Sequence, residues 1–263
     1  MKYKGVVYDV GLRFTAGYPY SVEPFDSALV KYDITTIAND MHANAIRIEG
    51  EVIERLVTAS RIAHEAGLTV FFNPWKMNVP VGELPAYFRK AARAAETLRK
   101  EGVDIVFVCG CEITMFNQGI IPGETLMDRL AWFVKFSQNI TGSEAEHEMR
   151  KKSVQLNDSL RAVTSAVRES YTGLMTYAAG VWESVDWSRF NITGIDYYRY
   201  GESAEEYVAG LGRYRTDKTF MVMEVGCCSY EGAAARGGGG FMLLEGMNPD
   251  GSGKFAENEL FTG

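Results

Sequence analysis

Two glutamates end apolar runs that otherwise read as buried strand: Glu112 in "VFVCGCEITMF" (107–117) and Glu224 in "TFMVMEVG" (219–226). A carboxyl in such a place is costly unless it is paired or used, because burial penalises the charged form. Two carboxyls facing one partly dry pocket push each other's pKa values apart, which leaves one protonated as an acid and the other ionised as a nucleophile. For either glutamate alone the plainer reading is a strand-end residue paired with an arginine or lysine at the rim. Further polar residues fall at comparable places. Asp9, Arg47, Asn73, Tyr177 and Tyr198 each lie toward the C-terminal end of a different β-rich run. Trp75 in "NPWK" and Trp182 in "GVWESVDW" come just after such ends, where a flat ring stacks on a ring-shaped ligand or simply packs under a loop.

Seven β-rich runs must position these groups: 4–10, 44–50, 68–75, 104–112, 173–180, 192–198 and 219–226. Between them, segments 26–43, 51–67, 84–102 and 143–170 carry apolar residues at helical spacing, and 202–211 is a shorter stretch of the same kind. This alternation predicts parallel βα units. Strands this apolar are covered on both faces, so the choice lies between an open doubly wound sheet and a closed barrel. The first βα turn, "YDVGLRFTAGYPYSVEPFD", has no G-x-G-x-x-G, which removes the main reason to prefer a dinucleotide fold. Polar groups at seven strand ends suit the rim of a TIM (β/α)8 barrel, where Glu112 and Glu224 would face each other across one mouth. Paired acids in that position suit glycoside hydrolysis, and a retaining enzyme holds its two carboxyls about 5–5.5 Å apart. The expected organisation is a single domain over 1–263 that lacks its eighth strand and helix. Its open edges would favour self-association.

The chain has 263 residues and is 46% hydrophobic, enough for one large core. A net charge of −7 and the absence of a Lys/Arg block argue against nucleic acid or anionic membrane as partners. They suit a neutral, cationic or locally held small ligand, such as a carbohydrate. No signal-type stretch opens the sequence and no run of about 18 apolar residues occurs, so a soluble cytoplasmic protein is expected. Cys109, Cys111, Cys227 and Cys228 are read as buried free thiols, since C-x-C and C-C are not zinc spacings. His42, His64 and His147 avoid strand ends, and neither metal nor cofactor is expected. The glycine run at 237–240 reads as a lid rather than a phosphate loop, because no Lys-Ser/Thr follows it.

Taken in order, Arg47 in "IRIEG", Glu112 closing the fourth run, "GIDYY" in the sixth and "MEVG" in the seventh resemble the clan of retaining (β/α) barrel glycoside hydrolases. The resemblance implies Glu112 as acid/base, Glu224 as nucleophile, Tyr198 as the phenol bonded to the nucleophile, and Arg47 as the cation that keeps it ionised. The clan usually has asparagine before its acid/base, where the amide binds the sugar 2-OH; this chain has Cys111. The motifs "KGVVYDVG", "YAAGVWESVDW" and "EVGCCSYEGAAARGGGG" also resemble prokaryotic barrel proteins labelled abortive infection proteins. That second resemblance implies a non-hydrolytic alternative, a carbohydrate-binding relic or a phage-defence effector using the same pocket.

Overall fold

The computed structural model describes residues 2–139, 142–228, 232–237, 240, 244–247 and 253–255. Seven parallel strands pair in sequence order into one curled sheet: β1 (Gly5–Asp9), β2 (Ala45–Gly50), β3 (Thr69–Pro74), β4 (Ile105–Cys111), β5 (Leu174–Gly180), β6 (Ile192–Asp196) and β7 (Thr219–Glu224). Each lies within the run expected from sequence. Over the described residues the result is a TIM barrel missing one strand. Among the described residues, β1 and β7 have no strand partner on their outer edges, and both are the more exposed strands, whereas β2 and β4 are buried throughout.

Side-chain alternation splits the core into two layers. Ile46, Ile48, Val70, Phe72, Phe107, Cys109, Met175 and Tyr177 face outward and pack against the helices. Ala45, Phe71, Val106, Val108, Cys111, Ala178, Ile192 and Met223 fill the barrel interior. The covering helices are α1 (Ser27–Asn39), α2 (Ile53–Glu65), α3 (Leu84–Lys100), then α4 (Ile113–Phe116), α5 (Leu126–Asn139) and α6 (Gly142–Arg168) between β4 and β5, and finally α7 (Ala204–Gly210) and α8 (Ala233–Arg236). Asp26 caps α1 by accepting the Ala28 N–H at 2.8 Å, and Ser203 with Glu206 forms a capping box on α7. No helix among the described residues is long and apolar enough to cross a membrane.

Besides the short helices α4 and α8, two features go beyond the sequence expectation. Helix α5 is announced by Thr125-x-x-Asp128, where the Asp128 carboxylate accepts from the Thr125 N–H at 2.9 Å and the Asp128 N–H donates back to the Thr125 hydroxyl. The second is a small antiparallel pair outside the main sheet, β8 (Leu244–Met247) with β9 (Gly253–Phe255). The glycine-run lid falls partly outside the described residues. The expectation of four buried thiols holds for Cys109 and Cys111, but Cys227 is exposed and Cys228 half-buried, because both follow the end of β7.

Candidate active site

Arg47 stands at the centre of the site. Its position in β2 points it into the barrel, where its side chain is only 3% exposed, and one nitrogen, Nη1, lies 2.8 Å from Glu224 Oε1 and 3.8 Å from Asp196 Oδ1. The other, Nη2, lies 3.2 Å from Glu49 Oε2. Burial pulls the Arg47 pKa down, yet Cys111, Glu224, Glu49 and Asp196 outweigh it and raise the value. The guanidinium is therefore a fixed cation inside a ring of acids.

Glu224 is held on both oxygens, by Arg47 at Oε1 and by the Tyr198 hydroxyl, which donates to Oε2 at 2.7 Å. The Cys111 Sγ lies 3.5 Å from Glu224 Oε1 and 3.6 Å from Asp196 Oδ2. Burial, followed by the charges of Glu224 and Asp196, raises the Cys111 thiol well above its ordinary pKa, so it remains an S–H group.

Glu112 is treated differently. Its backbone is left-handed, with φ 41° and ψ 48°, a conformation that costs a non-glycine residue on the order of 1 kcal/mol or more. The pairing of β4 with β5 slips between Val108 and Cys111, and Gly110 has φ 117°; a Cβ there would meet Ile113 Cδ1 at 2.8 Å. These irregularities break the strand's alternation at the residue that carries the acid. No hydrogen bond to the Glu112 carboxyl occurs among the described residues. Burial first, and then the charges of Asp196, Glu224 and Glu183, raise its pKa well above the ordinary glutamate value, against the pull of Arg47. Glu112 is thus a carboxylic acid within electrostatic reach of Glu224.

A buried clamp secures this turn. The Glu183 carboxylate accepts from the Thr114 hydroxyl at 2.6 Å, the Thr114 N–H at 3.1 Å, the Gly180 N–H at 3.1 Å and the Tyr177 hydroxyl at 2.9 Å. The Tyr177 oxygen accepts the Ile113 N–H at 2.8 Å, and the Trp182 indole N–H donates to the Thr114 hydroxyl at 2.9 Å. Burial moves Glu183 to about 7, with the four donors opposing it. Tyr177 and Trp182, expected at the ligand, are brought to this clamp. The Tyr177 ring faces outward with Met175 and Ala179, and Trp182 packs edge-on to Phe133.

Asn73 and Trp75 lie on the interior side beside Arg47. Asn73 is fully buried, and neither of its amide atoms has a hydrogen-bond partner; the Trp75 indole N–H and Arg47 Nε have none either, while Arg47 Nη2 with Glu49 Oε2, and Asp196 Oδ1 with Arg47 Nη1, meet only as ion pairs at 3.2 and 3.8 Å. Unpaired donors and acceptors so close together are costly in the free protein and match a ligand rich in hydroxyl groups. Asp9 accepts from the Gly11 N–H at 2.7 Å and from Ser21 at 2.5 Å, holding the first loop.

Sequence reasoning passed over Glu49, Asp196, Glu183 and Thr114 as site residues. Glu49 was signalled by its spacing, two residues after Arg47 and so on the same strand face. Cys111, Asp196 and Glu224 place possible ligand atoms within 4.8 Å of one another. The Arg47 nitrogen at 2.8 Å already supplies a cation there, and a divalent ion would sit against it, so the triad is read as hydrogen-bonded rather than metal-binding.

No family model matches the chain, and no curated protein matches it. Among solved structures, a complex of a GH113 β-1,4-mannanase superposes with a TM-score of 0.57 at 15% identity, covering 89% of this chain and 75% of the other. The GH113 β-mannanase AaManA from Alicyclobacillus acidocaldarius, in complex with ManMIm, gives 0.52 at 17% identity over 88% of this chain and 72% of the other. The Bacteroides uniformis β-glucuronidase 2 gives 0.51 at 14% identity over 87% of this chain and 25% of the other. At these identities the likeness is one of fold. Over the described residues the chain shares the barrel fold of these enzymes, with seven of its strands.

Proposed function

We propose that the protein is a retaining glycoside hydrolase, with Glu224 as nucleophile and Glu112 as general acid and base. The observation that carries this reading is the contrast between the two acids. Glu224 has both oxygens held, one by a guanidinium and one by a phenol, whereas Glu112 has no such partner, is held at positive φ, and is kept protonated by its surroundings. An ion-paired carboxylate aligned for attack beside a neutral acid is the division of labour that double displacement requires. Glu112 protonates the leaving oxygen as Glu224 attacks the anomeric carbon; Glu112 then takes a proton from the water that releases the sugar. Arg47, Asn73 and Trp75 supply unpaired polar atoms for sugar hydroxyls, Tyr198 fixes the nucleophile, and Tyr177 and Trp182 support the loop carrying the acid. The neighbours are named as a β-mannanase and a β-glucuronidase, which guides the first substrates to try.

The test is a screen of aryl β-mannoside, β-glucoside and β-glucuronide with wild type, Glu224→Ala and Glu112→Ala. Glu224→Ala should lose turnover on every substrate. Glu112→Ala should retain it where the leaving group needs no proton. Equal residual activity of the two variants on an activated substrate overturns the roles. A second reading, a barrel that binds carbohydrate without cleaving it, is favoured by one observation: a thiol, a poor hydrogen-bonding group, precedes the acid at Cys111. Saturable sugar binding with no turnover across the panel would support it.

A further inference from the structure

Asp196 is used by none of the steps above, although it is the most enclosed acid in the site. Its side chain is 0% exposed, and Oδ1 has no hydrogen bond, only Arg47 Nη1 at 3.8 Å. The same nitrogen is 2.8 Å from Glu224. Arg47 therefore cannot serve both carboxylates equally, and the closer pair takes the negative charge. An ionised Asp196 would be buried with one long ion pair and a weak thiol donor at Oδ2, and would compete with Glu224 for the single thiol proton. A protonated Asp196 needs one acceptor, and Cys111 Sγ stands 3.6 Å from Oδ2. The thiol has one proton of its own, and its next neighbour is Glu224 Oε1 at 3.5 Å. The polarity of the chain is then fixed: Asp196 O–H to Sγ, and S–H to the Glu224 carboxylate.

We propose that Asp196 is a positioning residue that stays protonated and is linked through the Cys111 thiol to the Glu224 carboxylate, so that Glu224 remains the anion of the pair. The role rests on Glu224 being the nucleophile, but the proton chain is a property of the free protein. A side chain at 111 must both accept and donate to complete this chain, which cysteine and serine do and alanine does not. The charged and titratable groups facing Asp196 are Arg47 and, through it, Glu49 from β2, Cys111 from β4 and Glu112 just after it, Glu183 from the segment after β5, Glu224 from β7, and Tyr198 from the segment after β6. Burial first, then the Glu224 charge, raise Asp196 well above the ordinary aspartate pKa, against the pull of Arg47 and of the Cys111 contact.

The test is an infrared pH titration of the protein alone, comparing wild type with Asp196→Asn, Cys111→Ala and Cys111→Ser, each first checked for native circular dichroism. The wild-type minus Asp196→Asn difference at neutral pH should contain one protonated-carboxyl band and a shifted S–H band, and both should titrate together. Cys111→Ala should move that carboxyl band, and Cys111→Ser should restore a hydrogen-bonded one. An Asp196→Asn difference without the protonated-carboxyl band overturns the proposal, because Asp196 is then ionised and structural. If Asp196→Asn does not fold, an unmoved carboxyl band in Cys111→Ala overturns it equally. No substrate enters the measurement, so it can fail or succeed apart from the glycosidase reading. On any substrate that is turned over, Asp196→Asn, which removes no charge from the site, should leave the alkaline limb of kcat/KM in place; a limb moved to lower pH would mean that Glu112 had lost a like-charged neighbour, and an ionised Asp196 overturns the proposal.

Discussion

Glu49 gives a measurable stability signature. Burial first, with the charges of Glu224 and Asp9 assisting and Arg47 opposing, raises its pKa from the ordinary 4.5 to about 7. A folded-state value above the unfolded one means that the folded protein holds a proton the unfolded chain has released. Its contribution is complete below about pH 4.5 and is lost as pH rises through about 7. A gap of roughly 2.5 units at about 1.36 kcal/mol each corresponds to about 3 kcal/mol. Glu49→Gln keeps the shape and removes the ionisation. Urea unfolding of wild type and variant at pH 4.5, 6 and 8 should show the variant gaining about 3 kcal/mol on wild type across that range, with most of the change below pH 7. A difference constant with pH would refute the reasoning, since Glu49 would then have the same pKa folded and unfolded.

Other consequences follow from single contacts. Tyr198→Phe removes the 2.7 Å donor to Glu224; at about 1.5–3 kcal/mol for a bond to a charged group, kcat on an aryl glycoside should fall by about 10- to 150-fold with little change in melting temperature. Thr114→Val deprives Glu183 of its 2.6 Å donor and Trp182 of its acceptor, and should cost about 1–3 kcal/mol in urea unfolding. Gly194→Ala would set a Cβ 2.4 Å from the Tyr177 carbonyl oxygen inside the sheet, and should lower the melting temperature by an amount corresponding to about 1–3 kcal/mol.

The strands were legible because apolar runs bounded by turn residues have few alternatives in a chain of this size, and β1 through β7 lie inside the runs read from sequence. Arg47, Tyr198 and Glu224 were legible as a group because each lines or closely follows a different strand, and the curled sheet brings such residues together. Tyr177 shows the limit of a strand-end argument. It has the parity of Met175 and Ala179 and so faces the helices, and only its hydroxyl reaches back to the rim. Glu112 shows the converse. Regular alternation after Cys111 would send it outward, and a register slip and left-handed backbone, which residue types do not announce, set its direction. Asp196 was hidden because "GIDYY" offers several polar residues, and only the distances to Cys111 and Arg47 separate their roles. The β8–β9 pair carried a turn signal in "NPDG", which the emphasis on parallel βα units left unused.

The central claim is that Glu224 forms a covalent bond to sugar while Glu112 does not. The direct measurement is mass spectrometry of the protein after incubation with 2-deoxy-2-fluoro β-glycosides carrying activated leaving groups, matched to whichever aryl glycoside is turned over. The account predicts one added fluorosugar per chain, located on the peptide containing Glu224, and no adduct in Glu224→Ala. Turnover of the parent glycoside with no adduct, or an adduct on Glu112 or Asp196, would contradict it.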